Sequence, residues 1–236
     1  MQPYFMPYIG YFQLIHAVDK FIFYDDVHFI KGGWINRNNI LLHGNKLLFS
    51  LPIQDMSSSK TIRESLISEK PFQWGKKLAE TFRRAYCKAP YFEAVFPWVD
   101  EMLRSAVGRS VGDVAMESVE GVFRHIGLAK NFSNSFGRYD NNHLKGAERV
   151  IDICRREGGT DYVNAIGGQS LYERPYFDER GIGLHFLKSN LTPYPQSQSR
   201  PVDEGAPFMA GLSILDVLMN NDPIAVRGML DDYTLI

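Results

Sequence analysis

The sequence predicts an α/β protein: a Rossmann-like, mostly parallel sheet with a helical insertion over residues 72–127. Three observations lead there. Short apolar runs that read as buried strands stand at 21–26, 46–53, 161–166 and 183–188. Polar or glycine residues close two of them, as Asp25-Asp26 and Gly167-Gly168, where ligands of open α/β sheets bind. Between the two halves lies a stretch with apolar residues at three- and four-residue intervals, the helical period. Residues 1–71 and 128–236 then form the α/β portion that carries the candidate site.

The opening Gln2-Pro3-Tyr4-Phe5-Met6-Pro7-Tyr8-Ile9-Gly10 contains two prolines and a glycine, which shape a loop. The run at 21–26 follows as a strand, and Lys31-Gly32-Gly33-Trp34-Ile35-Asn36-Arg37-Asn38 makes a second polar loop. His43-Gly44-Asn45 is a turn signal before the strand at 46–53, and a short strand is expected around 61–67. Helices are expected at 72–87, 91–107 and 111–126, separated by Ala89-Pro90 and Gly108. A helix over 144–157 stops at Gly158-Gly159, and the strand at 161–166 runs into Gly167-Gly168. Residues 169–180 are expected to be helical with a break at Pro175. The strand at 183–188 precedes a Pro/Ser/Gln-rich loop over 190–207, long enough for a lid or binding loop. A short apolar helix at 213–220 follows.

Composition excludes several classes. With 26 basic and 27 acidic residues the net charge is −1, so nothing in the charge argues for nucleic acid or an anionic membrane. No apolar run approaches a membrane span, and no basic region followed by an apolar stretch opens the chain. Cys87 and Cys154 make neither a disulfide framework nor a zinc set, which fits a reducing, cytoplasmic setting. His16, His28, His43, His125, His143 and His185 lack metal-ligand spacing, so no metal is expected. Walker, zincin and Gly-x-Ser-x-Gly patterns are absent.

Candidate site residues cluster at the loops. Neighbouring strand residues point to opposite faces, so only one of Asp25 and Asp26 can enter a given pocket, and Asp26 is the choice. Arg37 offers a planar fork for phosphate or carboxylate, Trp34 a stacking surface, and Lys31 and Asn36 further polar groups. Gly167-Gly168 can expose backbone N–H groups to an anion. Tyr194 and Gln196 could close over a pocket. Cys154 shares a helical face with Ala147, Val150 and Ile151, which points to packing rather than a nucleophile.

Seven strings occur in order along nearly the whole chain: QPYFMPYIGYFQLI, FYDDVHFIKGGWINRN, KAPYF, LKGAERVIDIC, YVNAIGGQSLY, PYPQ and LSILDVLMNN. Together they resemble the WbqC-like protein family, associated with bacterial O-antigen and other surface-polysaccharide gene clusters. The resemblance implies shared polar positions at Gln2, Tyr8, Asp26, Lys31, Trp34, Asn36, Arg37, Arg149, Asp152, Tyr162, Asn164, Tyr172, Gln196 and Asp216. A few apolar residues commonly precede Gln-Pro in the family and complete a first strand. Here only Met1 does, so a late start or a clipped strand is expected. Pro7, Tyr8, Gly10 and Tyr11 are also loosely similar to the Pro-x-His-x-Gly-His loop of nucleotidyltransferase-like folds. Tyrosine stands for both histidines, and a phenol cannot supply the imidazolium used on a phosphate.

The expected function is an enzyme of surface-polysaccharide biosynthesis that transfers an acyl or aminoacyl group to a nucleotide-linked amino sugar. Asp26 and Tyr8 would be catalytic. Gln2, Lys31, Trp34, Asn36, Arg37, Arg149, Asn164, Gly167, Gly168 and Gln196 would bind substrate. An acyl or aminoacyl thioester is the donor this chemistry calls for, and a nucleotide sugar the small-molecule partner. Two alternatives stay open, a nucleotidyltransferase-like enzyme and a non-catalytic scaffold of a polysaccharide assembly complex. Homo-oligomerisation is left open as well.

Overall fold

The computed structural model describes residues 1–196 and 207–236. The chain folds as a mixed α/β protein whose described strands form three small sheets. The first contains β1 (Lys20–Phe23) and β4 (Asn131–Asn134), paired in parallel from Lys20↔Asn131 to Phe23↔Asn134. Alternation along β1 buries Phe21 and Phe23, and Phe23 stacks on Phe132 of β4 at 5.5 Å. Met1 continues this layer on the other edge of β1. Its amino group donates to the Ile22 carbonyl at 2.9 Å, and the Tyr24 N–H donates to the Met1 carbonyl at 2.8 Å. That is the parallel bonding pattern, and it aligns Gln2 with Tyr24 at the carboxyl end of β1.

Helix α1 (Ile9–His16) follows the opening loop and is apolar around most of its circumference, so it lies inside the protein. Gly10 leaves room there for the Tyr8 ring. A Cβ at this position would fall 2.4 Å from the Tyr8 ring, which lies against the start of the helix. The second sheet is the hairpin of β2 (Arg37–Leu42) and β3 (Asn45–Ser50). His43 and Gly44 both have positive φ, as a two-residue primed turn demands. Arg37 and Asn38 therefore open a strand rather than belong to the loop expected of them. The polar run concealed it, because Asn38 is buried and its amide is satisfied by the Met6 carbonyl at 2.7 Å. The expected strand at 46–53 stops at Ser50, two residues before Pro52, and 61–67 supplies only isolated bridges.

Helices α2 (Trp74–Tyr86), α3 (Phe92–Arg104) and α4 (Val111–His125) occupy the middle of the chain, close to the expected spans. Ser110 caps α4 by accepting from the Gly112 N–H at 3.1 Å. Phe82, Val95, Val99, Val119 and Val122 from these helices share one apolar cluster with Phe5, Phe12, Phe23 and Phe49.

Helix α5 (Gly146–Arg156) leads to β5 (Asp161–Ala165) and a 3₁₀ turn over Ile166–Leu171. Then come α6 (Arg174–Asp178), β6 (Gly183–Ser189), α7 (Ile214–Asn220), α8 (Pro223–Met229) and β7 (Tyr233–Leu235). In the third sheet β5 and β6 are parallel and β7 is antiparallel to β6. Pro175 starts α6 instead of breaking a longer helix, since proline fits the first helical turn. A second apolar cluster of Ile151, Phe177, Ile182, Leu184 and Phe186 lies under α5 and α6. Strands β1–β4 and β5–β6 supply the parallel pairs, while the described strands do not join into one Rossmann-like sheet. Among the described residues no helix is long and apolar enough to cross a membrane.

Candidate functional site

The carboxyl end of β1 delivers Asp25 and Asp26 to different surroundings, as alternation requires. Asp25 is fully buried. Its Oδ1 accepts the backbone N–H groups of Ser135 at 3.2 Å and Phe136 at 2.9 Å, and Asn134 and Arg63 stand 3.4 and 3.8 Å from its Oδ2. It straps the end of β1 to the turn after β4. Asp26 faces α5. Its Oδ2 accepts from Arg149 Nη2 at 2.5 Å, with both side chains only 5% exposed. Its Oδ1 accepts the Ser135 hydroxyl at 2.6 Å. The single hydroxyl hydrogen goes to this acceptor rather than to Asp25 at 3.2 Å.

Arg149 projects from the first turns of α5 and is gripped on several sides. Nε donates to Asn141 Oδ1 at 2.9 Å, and Nη2 also donates to Asn142. The guanidinium lies over the Tyr24 ring at 4.8 Å. Asn141 is oriented in turn by donating to Asp152 Oδ2 at 2.6 Å, and Asp152 also pairs with Arg156 at 2.9 Å. Burial would raise the Asp152 carboxyl, but the hydrogen bonds from Asn141 and Arg156 outweigh it and hold it low. A buried cation in this setting needs a counter-ion and hydrogen-bond acceptors, and the chain supplies Asp26 for the first and Asn141 and Asn142 among the second. Burial pushes the phenols of Tyr24, Tyr162 and Tyr172 upward, so all three stay protonated at neutral pH. Tyr162 packs edge-on to Tyr172 at 5.7 Å and stacks on Phe177 at 5.8 Å.

The opening loop contributes Gln2, Tyr4 and Tyr8. Tyr4 reaches Gln2 Oε1 at 3.5 Å, and Tyr11 donates to the Gln2 carbonyl at 2.8 Å. Burial raises the Tyr8 phenol, which makes it a hydrogen-bond donor rather than a base at neutral pH. Because Gln2 aligns with Tyr24, this loop and the Asp26–Arg149 pair share the carboxyl end of one parallel layer.

The second polar loop forms a separate surface group. Trp34 is 49% exposed, the Arg37 guanidinium lies 5.5 Å from its ring centroid, and Arg37 donates to the Gly32 carbonyl. Lys31 is exposed. No described contact joins Arg37 to Asp26, Arg149 or Tyr8.

Other candidates serve the fold. Asn36 is buried and donates to the Leu51 carbonyl at 2.7 Å. Asn164 accepts from the Ala165 N–H at 2.9 Å, and a Cβ on Gly168 would collide with its amide at 2.4 Å. Gly167 and Gly168 sit in the 3₁₀ turn without positive φ. Gln196 donates to Asp216 at 2.9 Å and exchanges hydrogen bonds with the Met209 backbone. It fastens the described start of the long loop to α7; residues 197–206 of that loop lie outside the described residues. Cys87 and Cys154 are both free thiols, and burial raises the thiol of Cys154. Among the described residues no three His, Cys, Asp or Glu side chains converge as a metal set.

Ser135, Asn141, Asn142 and the ring of Tyr24 escaped the sequence reading. Tyr24 sits beside the Asp pair, but Ser135 and the Asn-Asn pair lie in a polar stretch with no periodicity or motif to mark it.

The family model of the WbqC-like protein family matches residues 2–228. A Mycobacterium tuberculosis protein, "Uncharacterized protein Rv1507c", is 26% identical over 223 residues, which cover 93% of this chain and 91% of that protein. No solved structure matches. The family match is consistent with a polysaccharide-related role.

Proposed function

Because the chain belongs to the WbqC-like protein family, we propose that it is an enzyme of surface-polysaccharide biosynthesis that transfers an acyl or aminoacyl group to a nucleotide-linked amino sugar. The observation that carries the reading is Arg149, a buried guanidinium held at the carboxyl ends of β1 and β4. Ligands of α/β proteins commonly bind beyond the carboxyl ends of parallel strands, and a preorganised forked cation is the group that recognises a phosphate. Tyr24, Tyr8 and Gln2 add neutral donors and acceptors for sugar hydroxyls. Trp34 and Arg37 offer a separate stacking surface for a base.

Asp26 takes a different role from the free base its position suggests. Both of its oxygens are engaged, one by Arg149 and one by Ser135. It positions Arg149 and neutralises it, so the proton from the attacking amine goes to another acceptor or to solvent. An acyl or aminoacyl thioester would supply the group transferred: the sugar amine bonds to the acyl carbon, the carbon–sulfur bond breaks, and the thiolate departs and takes up a proton as the free thiol.

The test combines binding and turnover. UDP- or dTDP-linked amino sugars at millimolar concentration should raise the melting temperature, and rising salt should weaken the effect. With an acyl or aminoacyl thioester and no added Mg²⁺, the acylated sugar should form. Pyrophosphate release that needs metal and a nucleoside triphosphate, with no acyl product, would replace this reading by nucleotidyl transfer. Binding without either product would favour the scaffold role.

A further inference from the structure

Ile9 and Gln13 of α1 face a cavity of about 20 Å³, walled also by Tyr194, Phe208, Met229 and Asp232 among others. It shares none of the residues around Arg149. Gln13 is 1% exposed. Its Nε2 donates to the carbonyls of Met229 at 2.8 Å and Asp232 at 3.0 Å. These two acceptors fix the amide, since turning it over would set its oxygen against two carbonyl oxygens. Gln13 Oε1 is then a buried acceptor with no partner among the described residues. Such an atom calls for a donor, and Gln13 is one of the residues that line the cavity.

The remaining wall says which donor. The Asp232 carboxylate accepts from Asn190 at 2.7 Å and from the Thr192 hydroxyl, both neutral, and it makes no ion pair among the described residues. Among the described residues no Lys, Arg or His lines the cavity. Tyr194 and Phe208 pack edge-to-face at 5.1 Å and add electron-rich ring surface. The volume admits one water-sized group.

We propose that this cavity binds a protonated ammonium group, either free ammonium or the head of a small primary amine. Gln13 Oε1 accepts one of its hydrogens, Asp232 supplies the counter-charge, and Tyr194 and Phe208 flank it. The site is independent of the transferase reading.

Thermal unfolding of the full chain at neutral pH and constant ionic strength tests this. Ammonium chloride and methylammonium chloride should raise the melting temperature with concentration, by roughly 3–6 °C at ten times the dissociation constant. Sodium, potassium and the oversized tetramethylammonium chloride should leave it flat. Asp232→Asn should remove most of the ammonium response, and Gln13→Leu all of it. Should Gln13→Leu fail to fold, the partly exposed Asp232→Asn decides alone. Equal melting temperatures in ammonium and sodium, as expected of a cavity that holds only water, would overturn the proposal. So would a potassium response matching that of ammonium, or an undiminished response in Asp232→Asn.

Discussion

Asp26 and Asp216 are both buried carboxylates, and the protein satisfies them in opposite ways. Asp26 meets a cation, Arg149, whose other contacts are also provided by the chain. Among the described residues Asp216, in the first turn of α7, meets only neutral side-chain donors: the hydroxyls of Tyr194 at 2.7 Å and Tyr86 at 3.1 Å, and the amide of Gln196 at 2.9 Å. Burial raises the Asp216 carboxyl, and these hydrogen bonds offset only part of the rise. A charge pair at a strand end is suited to binding, because a ligand anion can compete for the cation. Neutral donors drawn from α2 and the 191–196 segment are suited to fastening, because they tie two distant parts of the chain to α7.

The largest expected effect breaks the first arrangement. Arg149→Met leaves the buried Asp26 carboxyl without its cation, and should cost about 3–5 kcal/mol in urea unfolding. Adding Asp26→Asn should restore a substantial part, because the stranded charge is gone. A double variant as unstable as the sum of the two singles would show that the pair is not coupled.

The second arrangement should yield smaller steps. Tyr194→Phe removes one donor to Asp216 while keeping the ring, with an expected loss of about 1–3 kcal/mol for a weakened buried acceptor. The cost should be lower at acidic pH, where a protonated Asp216 needs fewer donors. A loss that does not change with pH would mean that Asp216 keeps one protonation state across the range.

This contrast also shows what could be read from the sequence. Helices α2 to α4, α5 and α7 were legible because a one-sided apolar face repeats every three or four residues, as in Ala147, Val150, Ile151 and Cys154. Strand β2 was not, because Arg37-Asn38-Asn39 is polar and its burial depends on the Met6 carbonyl, 32 residues away. Strand β4 was missed for the same reason: Asn131-Phe132-Ser133-Asn134 gains its identity only from β1. Asp26 and Arg149 could each be picked out, yet their pairing spans 123 residues. No local pattern reveals that one neutralises the other.

Two pH responses of opposite sign sharpen the comparison. Glu157 collects Lys20, Arg138 and Tyr139. Burial would raise it, but the hydrogen bonds from Lys20, Tyr139 and Arg138 win and bring it to about 2. Its folded value lies below its unfolded one, so its contribution is present above the usual carboxylate range and disappears as pH falls toward 2. Asp216, raised on folding, contributes most below its unfolded value and loses that contribution as pH rises through its folded value. Glu157→Gln should therefore flatten the acid limb of a stability profile, while Asp216→Asn should flatten the decline on the other side. Identical profiles for the two variants would contradict the opposite signs.

The smallest effect on stability is expected at the surface group. Trp34→Ala and Lys31→Ala should change unfolding free energy by less than about 0.5 kcal/mol, since both side chains are largely outside the core. If the Trp34 ring stacks the base of a nucleotide sugar, the same Trp34→Ala change should remove base–aromatic stacking of about 1–3 kcal/mol, a figure drawn from base stacking in single-stranded nucleic acids. Isothermal titration with UDP and with the sugar-free diphosphate analogue separates the contributions. UDP affinity should fall in Trp34→Ala while binding of the diphosphate, which lacks a base, should not change. Equal losses for both ligands would place Trp34 with the phosphate contacts. No loss for either would remove the 31–37 loop from the site and leave Arg149, Tyr24 and the opening loop to account for recognition alone.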